Sequence, residues 1–512
     1  MKLWKYIRQK LLEHPGQTVC EGDASMTYEQ LCIYAESFAQ RLTAPHYGIL
    51  CGSELAAAMA LLACFAAEKP AVPLPARYGK DYYMKIWERA DSPCLITDIG
   101  GELRTVPMPP SASVESPASC PGGAGCSGQE TGSEADCPGG AGCSGASGGS
   151  GPAFGTLAAG SCSVDGQEET GEEETKPAVI LFTSGSTGTP KGVMLSDESL
   201  IANVEDIASY FPIGEQDRIL ISRPLYHSSV LTGELLVSLC QGAGIEFFSE
   251  SFQPLRLLQL MRDRGITAFG STPTLLSTLA RFVRPGHLLP VRLLSVSGEC
   301  MTEGMARAIR TAFPQTEVYC GYGLSEASPR VAYLPPALFD RQPTAAGIPL
   351  PHVRLCIVDE QGKRVCGWEV GELLVQGPNV MLGYFQDEER SRRVLHGGWL
   401  RTGDLACWGA DGMLFIKGRK DDMVIRAGMN IYPAEIENAL SADPRVQGVL
   451  VYGYPKNGTQ EIGMKISGAF GSLQEVVALC RERLPDFQIP SKIELTEATE
   501  VLLGGKKKRR TV

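Results

Sequence analysis

No stretch of this sequence is apolar for long enough to cross a bilayer: the best run, Leu55 to Ala67, falls short of the about 20 residues a membrane helix needs. Nor is there an excess of positive charge. A formal net charge of −11 argues against a general nucleic-acid binder, which needs a basic face to displace counterions from phosphate. The start, Met1 to His14, mixes lysine, arginine and glutamate with leucine and isoleucine, and lacks the apolar block and small-residue cleavage site of a signal peptide. Together these absences predict a cytoplasmic protein with no membrane span. The 17 cysteines contain no zinc-like CxxC pair, so reduced thiols are expected in place of a disulfide framework.

What is present fits a globular chain. With 512 residues, 43% of them hydrophobic, the chain exceeds what one core usually serves, and a large domain with a smaller partner is expected. Leu31 to Leu74 reads as apolar helical stretches with short breaks, and Cys94-Leu95-Ile96-Thr97 reads as a buried strand. From about residue 107 to 175 the composition turns to Gly, Ser, Pro, Glu and Ala, and Cys120 to Gly128 (CPGGAGCSG) recurs as Cys137 to Gly145. Such a segment has too little apolar surface to offset its ordering entropy, so a disordered insertion is expected, with its four repeat cysteines part of a duplicated linker. Ordered patterning resumes at Ala178. Val179 to Phe182 reads as a strand, and Asp197 as the cap of a helix whose Leu200, Ile201, Val204, Ile207 and Ala208 share one face. Apolar runs at Val291 to Val296, Val353 to Val358 and Glu372 to Val375 then alternate with helical stretches such as Met305 to Phe313, a rhythm that predicts mixed α/β layers.

The most informative segment is Thr183-Ser184-Gly185-Ser186-Thr187-Gly188-Thr189-Pro190-Lys191-Gly192, directly after a strand. Its glycines let backbone approach a polyphosphate, its hydroxyls donate hydrogen bonds, and Lys191 brings a mobile positive charge. It is not the Walker form. No Gly-Lys-Ser/Thr closes it, and Val193-Met194-Leu195 predicts a second strand where a Walker loop would open a helix.

Further motifs follow in order: Pro224-Leu225-Tyr226-His227, Gly321-Tyr322-Gly323-Leu324-Ser325-Glu326, Gly371-Glu372-Leu373, Thr402-Gly403-Asp404, Gly418-Arg419-Lys420-Asp421-Asp422 and Gly505-Lys506-Lys507-Lys508-Arg509. With that loop and these motifs, the sequence resembles the AMP-forming superfamily of acyl-CoA synthetases, peptide-synthetase adenylation domains and luciferases, over essentially the whole chain outside the insertion. The resemblance implies an α/β N-terminal adenylating domain (1–417), a hinge (418–421) at Asp421 and a small mobile C-terminal lid (422–512). It also implies a role for each motif. Residues Thr183 to Lys191 grip ATP; Tyr322 stacks on adenine beside Gly321, Gly323 and Ser325; Glu326 holds magnesium. Asp404 accepts from the ribose hydroxyls, Arg419 adds a ribose and phosphate contact, and Ser297-Gly298-Glu299 lines the adenine and acyl pocket. Lys506 supplies the ammonium for adenylation, with Lys507 able to replace it in register; a plain basic tail is the alternative reading of that run.

His227 and Gly428 resemble the lining of the thiol channel, Gly428 because it has no side chain to obstruct an incoming thiol. Tyr226-His227-Ser228-Ser229 offers no carboxylate for a substrate ammonium, so a fatty or aryl acid is expected over an α-amino acid. Pro433 to Glu437 predicts a helix with proline in its first turn. The implied reaction joins a carboxylic acid to coenzyme A through acyl-AMP, with ATP and Mg2+. Two alternatives stand beside it: transfer to the phosphopantetheine of a carrier protein acting in trans, and a non-catalytic nucleotide-binding scaffold.

Overall fold

A computed structural model describes residues 2–75, 80–99, 101–107, 175–184, 190–250, 252–284, 288–426, 429–456 and 459–496. The expected insertion, the loop centre Gly185 to Thr189, Gly428, Lys506 and Lys507 lie outside the described residues.

Short apolar runs become buried parallel strands, because a strand covered by helices on both faces has no solvent side on which to place polar residues. One sheet has nine strands among the described residues. Its central part is parallel: Val19 pairs with Ile245, Ile245 with Ile219, Leu220 with Phe269, Phe269 with Leu294, and Leu294 with Val318. A second sheet carries the phosphate-loop hairpin. There Pro177–Ser184 lies antiparallel to Pro190–Ser196, with Thr183 directly opposite Lys191. Ala71–Pro73 and Tyr47–Ile49 extend this sheet in parallel, so the break between the helices Tyr28–Ala39 and Glu54–Ala66 and the stretch after the second helix each contain a strand. The two sheets and the helices between them share one apolar core, from Leu3 through Leu61, Val193 and Leu235 to Ala332.

A third, antiparallel sheet places Gly371–Gln376 beside Trp399–Trp408, which in turn pairs with Leu414–Arg419. The mixed α/β expectation holds. One local reading is corrected. The helix Asp197–Tyr210 is capped by Ser196, whose hydroxyl accepts from the Ser199 amide, because Asp197 already has its place inside the first turn. The stretch that contains the expected hinge consists of the strand Leu414–Arg419, a single turn Lys420–Asp422 and the strand Val424–Arg426.

The C-terminal residues keep their own core, in which Ile436 and Leu440 of the helix Pro433–Ser441 meet Val451, Ile462, Met464 and Leu479. Proline does start that helix. The seam between this part and the helix Glu303–Ala312 is polar: Arg307 donates to the Ser441 and Ala442 carbonyls at 3.3 and 2.9 Å. Arg281 reaches the Gln447 carbonyl at 3.3 Å, and Lys417 pairs with Glu435 at 2.9 Å. Gly304 permits the approach, since a Cβ there would come within 2.6 Å of the Ser441 carbonyl oxygen.

Candidate active site

The ends of the parallel strands bring chemistry-bearing residues together, as open α/β sheets do at the carboxyl ends of their strands. Ser271, Ser297 and Gly323 each close one of three neighbouring strands. The Ser271, Ser297, Thr232 and Thr183 hydroxyls are buried without a protein partner. Buried polar atoms are normally paired, so the unpaired Ser271 and Ser297 hydroxyls at the ends of two paired strands point to a polar ligand there.

Two groups of charged side chains stand there. In the first, Lys191 donates to Glu326 at 2.5 Å and to the Tyr384 hydroxyl at 3.0 Å, and Tyr384 donates in turn to Glu326 at 2.9 Å. Tyr384 gets there because the strand Gly383–Tyr384 pairs with the hairpin strand, Tyr384 lying opposite Val193. Burial alone would raise the Glu326 carboxyl. The Lys191 ammonium and the two hydrogen bonds outweigh it and hold the carboxyl below its ordinary value. Burial and the Glu326 charge together push the Tyr384 phenol up, so it stays a donor.

In the second group Asp404 accepts from the Tyr322 hydroxyl at 2.5 Å and from Arg419 at 2.8 Å. The sheet aligns this pair, with Asp404 directly opposite Arg419. Gly403 at φ +70° turns the chain, and the Thr402 hydroxyl accepts the Asp404 amide at 3.0 Å. Burial and Asp404 both raise the Tyr322 phenol. Tyr322 near the end of the strand Glu317–Gly323 and Glu326 in the turn Ser325–Ala327 that follows link the two groups through one short stretch of chain.

The remaining expected residues divide. His227, exposed, stands at the start of the helix Ser228–Val230 with its ring 4.4 Å from the Tyr226 ring. Ser228 bonds Ser325 at 3.2 Å, tying that helix to the turn that carries Glu326. Glu299, just beyond Ser297, accepts the Thr274 hydroxyl at 2.5 Å at the start of the helix Pro273–Ala280. Asp421 sits in the turn between the two strands described above.

Four residues were missed. Tyr384 has no motif around it and is found only through the fold. Arg223, Glu234 and Arg330 are charges set among apolar neighbours, and that mismatch was the available signal. Glu234 is fully buried and ion-paired with Arg223, on a one-turn π-helix, a form frequent at functional sites.

Among the described residues no group of three or more His, Cys, Asp or Glu could hold a metal by itself. The buried Glu326 carboxylate nevertheless suits magnesium, which commonly takes one or two carboxylates and completes its shell with phosphate oxygens and water. Among the described residues, no helix is long and apolar enough to cross a membrane.

The AMP-binding enzyme family matches residues 7–385. A feruloyl-CoA synthase from Amycolatopsis is 32% identical over 337 residues, 64% of this chain and 67% of that protein. A long-chain-fatty-acid–CoA ligase from Bacillus subtilis is 32% identical over 346 residues, 65% of this chain and 60% of the relative. The fold is that of the O-succinylbenzoate coenzyme A synthetase from Bacillus subtilis in complex with AMP, at a TM-score of 0.74 and 22% identity, covering 99% of this chain and 98% of the other.

Proposed function

This chain belongs to the AMP-binding enzyme family, and from that premise we propose that it is an acid–thiol ligase that forms acyl-AMP from ATP and then an acyl-CoA thioester. One observation carries the reading: the Lys191–Glu326–Tyr384 group, which includes a strand of the hairpin rich in Ser, Thr and Gly, is joined to the Tyr322–Asp404–Arg419 group by the short stretch of chain from Tyr322 to Glu326. That arrangement supports a nucleotide with its phosphates toward Lys191 and its ribose toward Asp404. Relatives that act on feruloyl and long-chain acyl substrates support a fatty or aryl acid.

In the first step the acid's carboxylate oxygen forms a bond to the α-phosphorus of ATP, and the bond to pyrophosphate breaks. Lys191 holds phosphate charge, Asp404 accepts from the ribose hydroxyls, and Tyr322 provides a flat face for adenine. Magnesium, when held by Glu326, supplies neutralisation of phosphate charge. Lys506, or Lys507 in its place, stabilises the charge that grows on the phosphate oxygens. In the second step a thiol sulfur bonds to the acyl carbon and AMP leaves, the thiol approaching past His227 and Gly428. Residues 1–417 form the adenylating domain and residues 422–512 the lid that turns at Asp421.

The test is acid-dependent pyrophosphate release from ATP and magnesium over fatty, aryl and amino acids. Release with fatty or aryl acids, followed by thioester formation with free coenzyme A, is the expected result. Thioester only with a carrier protein would move the acceptor, and no release with any acid would leave a nucleotide-binding scaffold.

A further inference from the structure

We infer that the acid this enzyme activates is a dicarboxylic acid, whose second carboxylate pairs with Arg330. The inference rests on the ligase reading and narrows its substrate class. Arg330 begins the strand Arg330–Leu334, opposite Gly323 and four residues beyond Glu326. Only 2% of it is exposed. Its backbone is fixed by Asn203, whose side chain donates to the Arg330 carbonyl at 2.8 Å and accepts its amide at 3.1 Å. The guanidinium therefore has a set position.

That position lies between the strand that carries Gly321 and Tyr322 and the helix that follows His227. A Cβ on Gly321 would come within 2.9 Å of Arg330 Nε, and one on Gly233 within 3.5 Å of its Nη2. Both flanking residues are glycine, which lets the guanidinium sit closely between the two backbones. Its partners are hydroxyls: Ser295 at 3.2 Å, with the Tyr210 hydroxyl facing it. Among the described residues no carboxylate forms an ion pair with Arg330. The nearest candidate, Glu234 on the neighbouring turn, is taken by Arg223.

The set Arg223, Glu234 and Arg330 thus carries one positive charge more than it neutralises. A buried guanidinium without a counter-ion is costly, and its rigid fork matches a carboxylate with two parallel hydrogen bonds. A plain fatty chain would lay methylenes against that charge. A second carboxylate on the substrate supplies the missing anion, while the first is activated near Glu326.

The experiment compares matched pairs, butyrate with succinate, hexanoate with adipate and benzoate with terephthalate, in the full-length enzyme with ATP and magnesium. Pyrophosphate release gives kcat/KM, and titration calorimetry gives binding without turnover. In the wild type at least one diacid is expected to exceed its monoacid partner by about ten- to a hundredfold, the worth of one charge-assisted contact. In Arg330→Met that ratio falls to about one, and in Arg330→Lys it is intermediate, since an ammonium keeps the charge without the fork. A wild type that prefers monoacids overturns the inference, whether or not the variants fold, and so does an undiminished ratio in Arg330→Met. A preference for amine-bearing acids also overturns it, by pointing to Glu234. Tighter diacid binding with no pyrophosphate release would sink the ligase reading and keep only the pairing of a second carboxylate with Arg330; release with no diacid preference would do the reverse.

Discussion

Replacing Asp404 by asparagine separates a nucleotide ligand from a structural anchor. The substitution keeps the shape and one acceptor oxygen but removes the charge. Asp404 is 7% exposed and accepts from Tyr322 at 2.5 Å and Arg419 at 2.8 Å, so both donors lose a charged partner. The Arg419 side chain is 51% exposed, and solvent screening leaves that contact little worth in stability. With the buried Tyr322 contact, the loss of stability comes to about 1–2 kcal/mol. A carboxylate that accepts a ribose hydroxyl contributes about 1.5–3 kcal/mol to binding, so the Kd for ATP is expected to rise about 10- to 150-fold. Calorimetric titration with ATP and with 2′-deoxy-ATP, alongside a thermal melt, tests both figures. Wild type should discriminate between the two nucleotides, and Asp404→Asn should discriminate far less. If the variant melts earlier yet still prefers ATP to the deoxy form by the wild-type factor, Asp404 only anchors Tyr322 and Arg419, and the reasoning fails.

Glu326→Gln should show a pH-dependent deficit. The folded carboxyl titrates below its ordinary value of 4.5, so the contribution of its ionised form is complete above that pH and vanishes as pH falls through the folded value. The gap in Tm between wild type and variant, measured without nucleotide, should therefore be widest near neutrality and shrink in acid; a gap that widens in acid refutes the ion-pair account. Gly323→Ala should cost about 3 kcal/mol in chemical denaturation, because its Cβ would meet the Pro329 carbonyl oxygen at 1.9 Å, and wild-type stability would show that the hairpin is not so constrained. Lys506→Ala is expected to slow acid-dependent pyrophosphate release about 100- to 1,000-fold, and an effect of that size on Lys507→Ala alone would move the role by one residue. Deletion of residues 111–171 should leave adenylation nearly intact, since their composition offers little apolar surface to a packed core; loss of activity would reveal a structural contribution.

The sequence made legible what depends on local pattern. Apolar runs such as Val179 to Phe182 and Val291 to Val296 announced their strands, and the family resemblance named Lys191, Glu326, Tyr322, Asp404 and Arg419, which the fold joins in two hydrogen-bonded groups. It could not reveal Tyr384, because that residue joins the Lys191–Glu326 pair through a two-residue strand whose partner lies about 190 residues earlier in the chain. The cap of the helix at Asp197 slipped by one residue because Ser196 and Asp197 are both good caps, and only backbone conformation chooses between them. Short strands Tyr47–Ile49 and Ala71–Pro73 were hidden because three residues are too few to show a period. Arg330 was passed over because its significance lies in what surrounds it, two glycines and two hydroxyls drawn from four separate elements.

The guanidinium-to-carbonyl seam along Arg281, Arg307 and the C-terminal segment has a thermodynamic consequence. Each of its bonds can be exchanged for one to water with almost no net change, whereas parting two greasy faces would expose area that water resists. If residues 422–512 form the proposed lid, a boundary built this way would fix an orientation while closed and release it at small cost, with a grip that weakens with added salt more than with added cold.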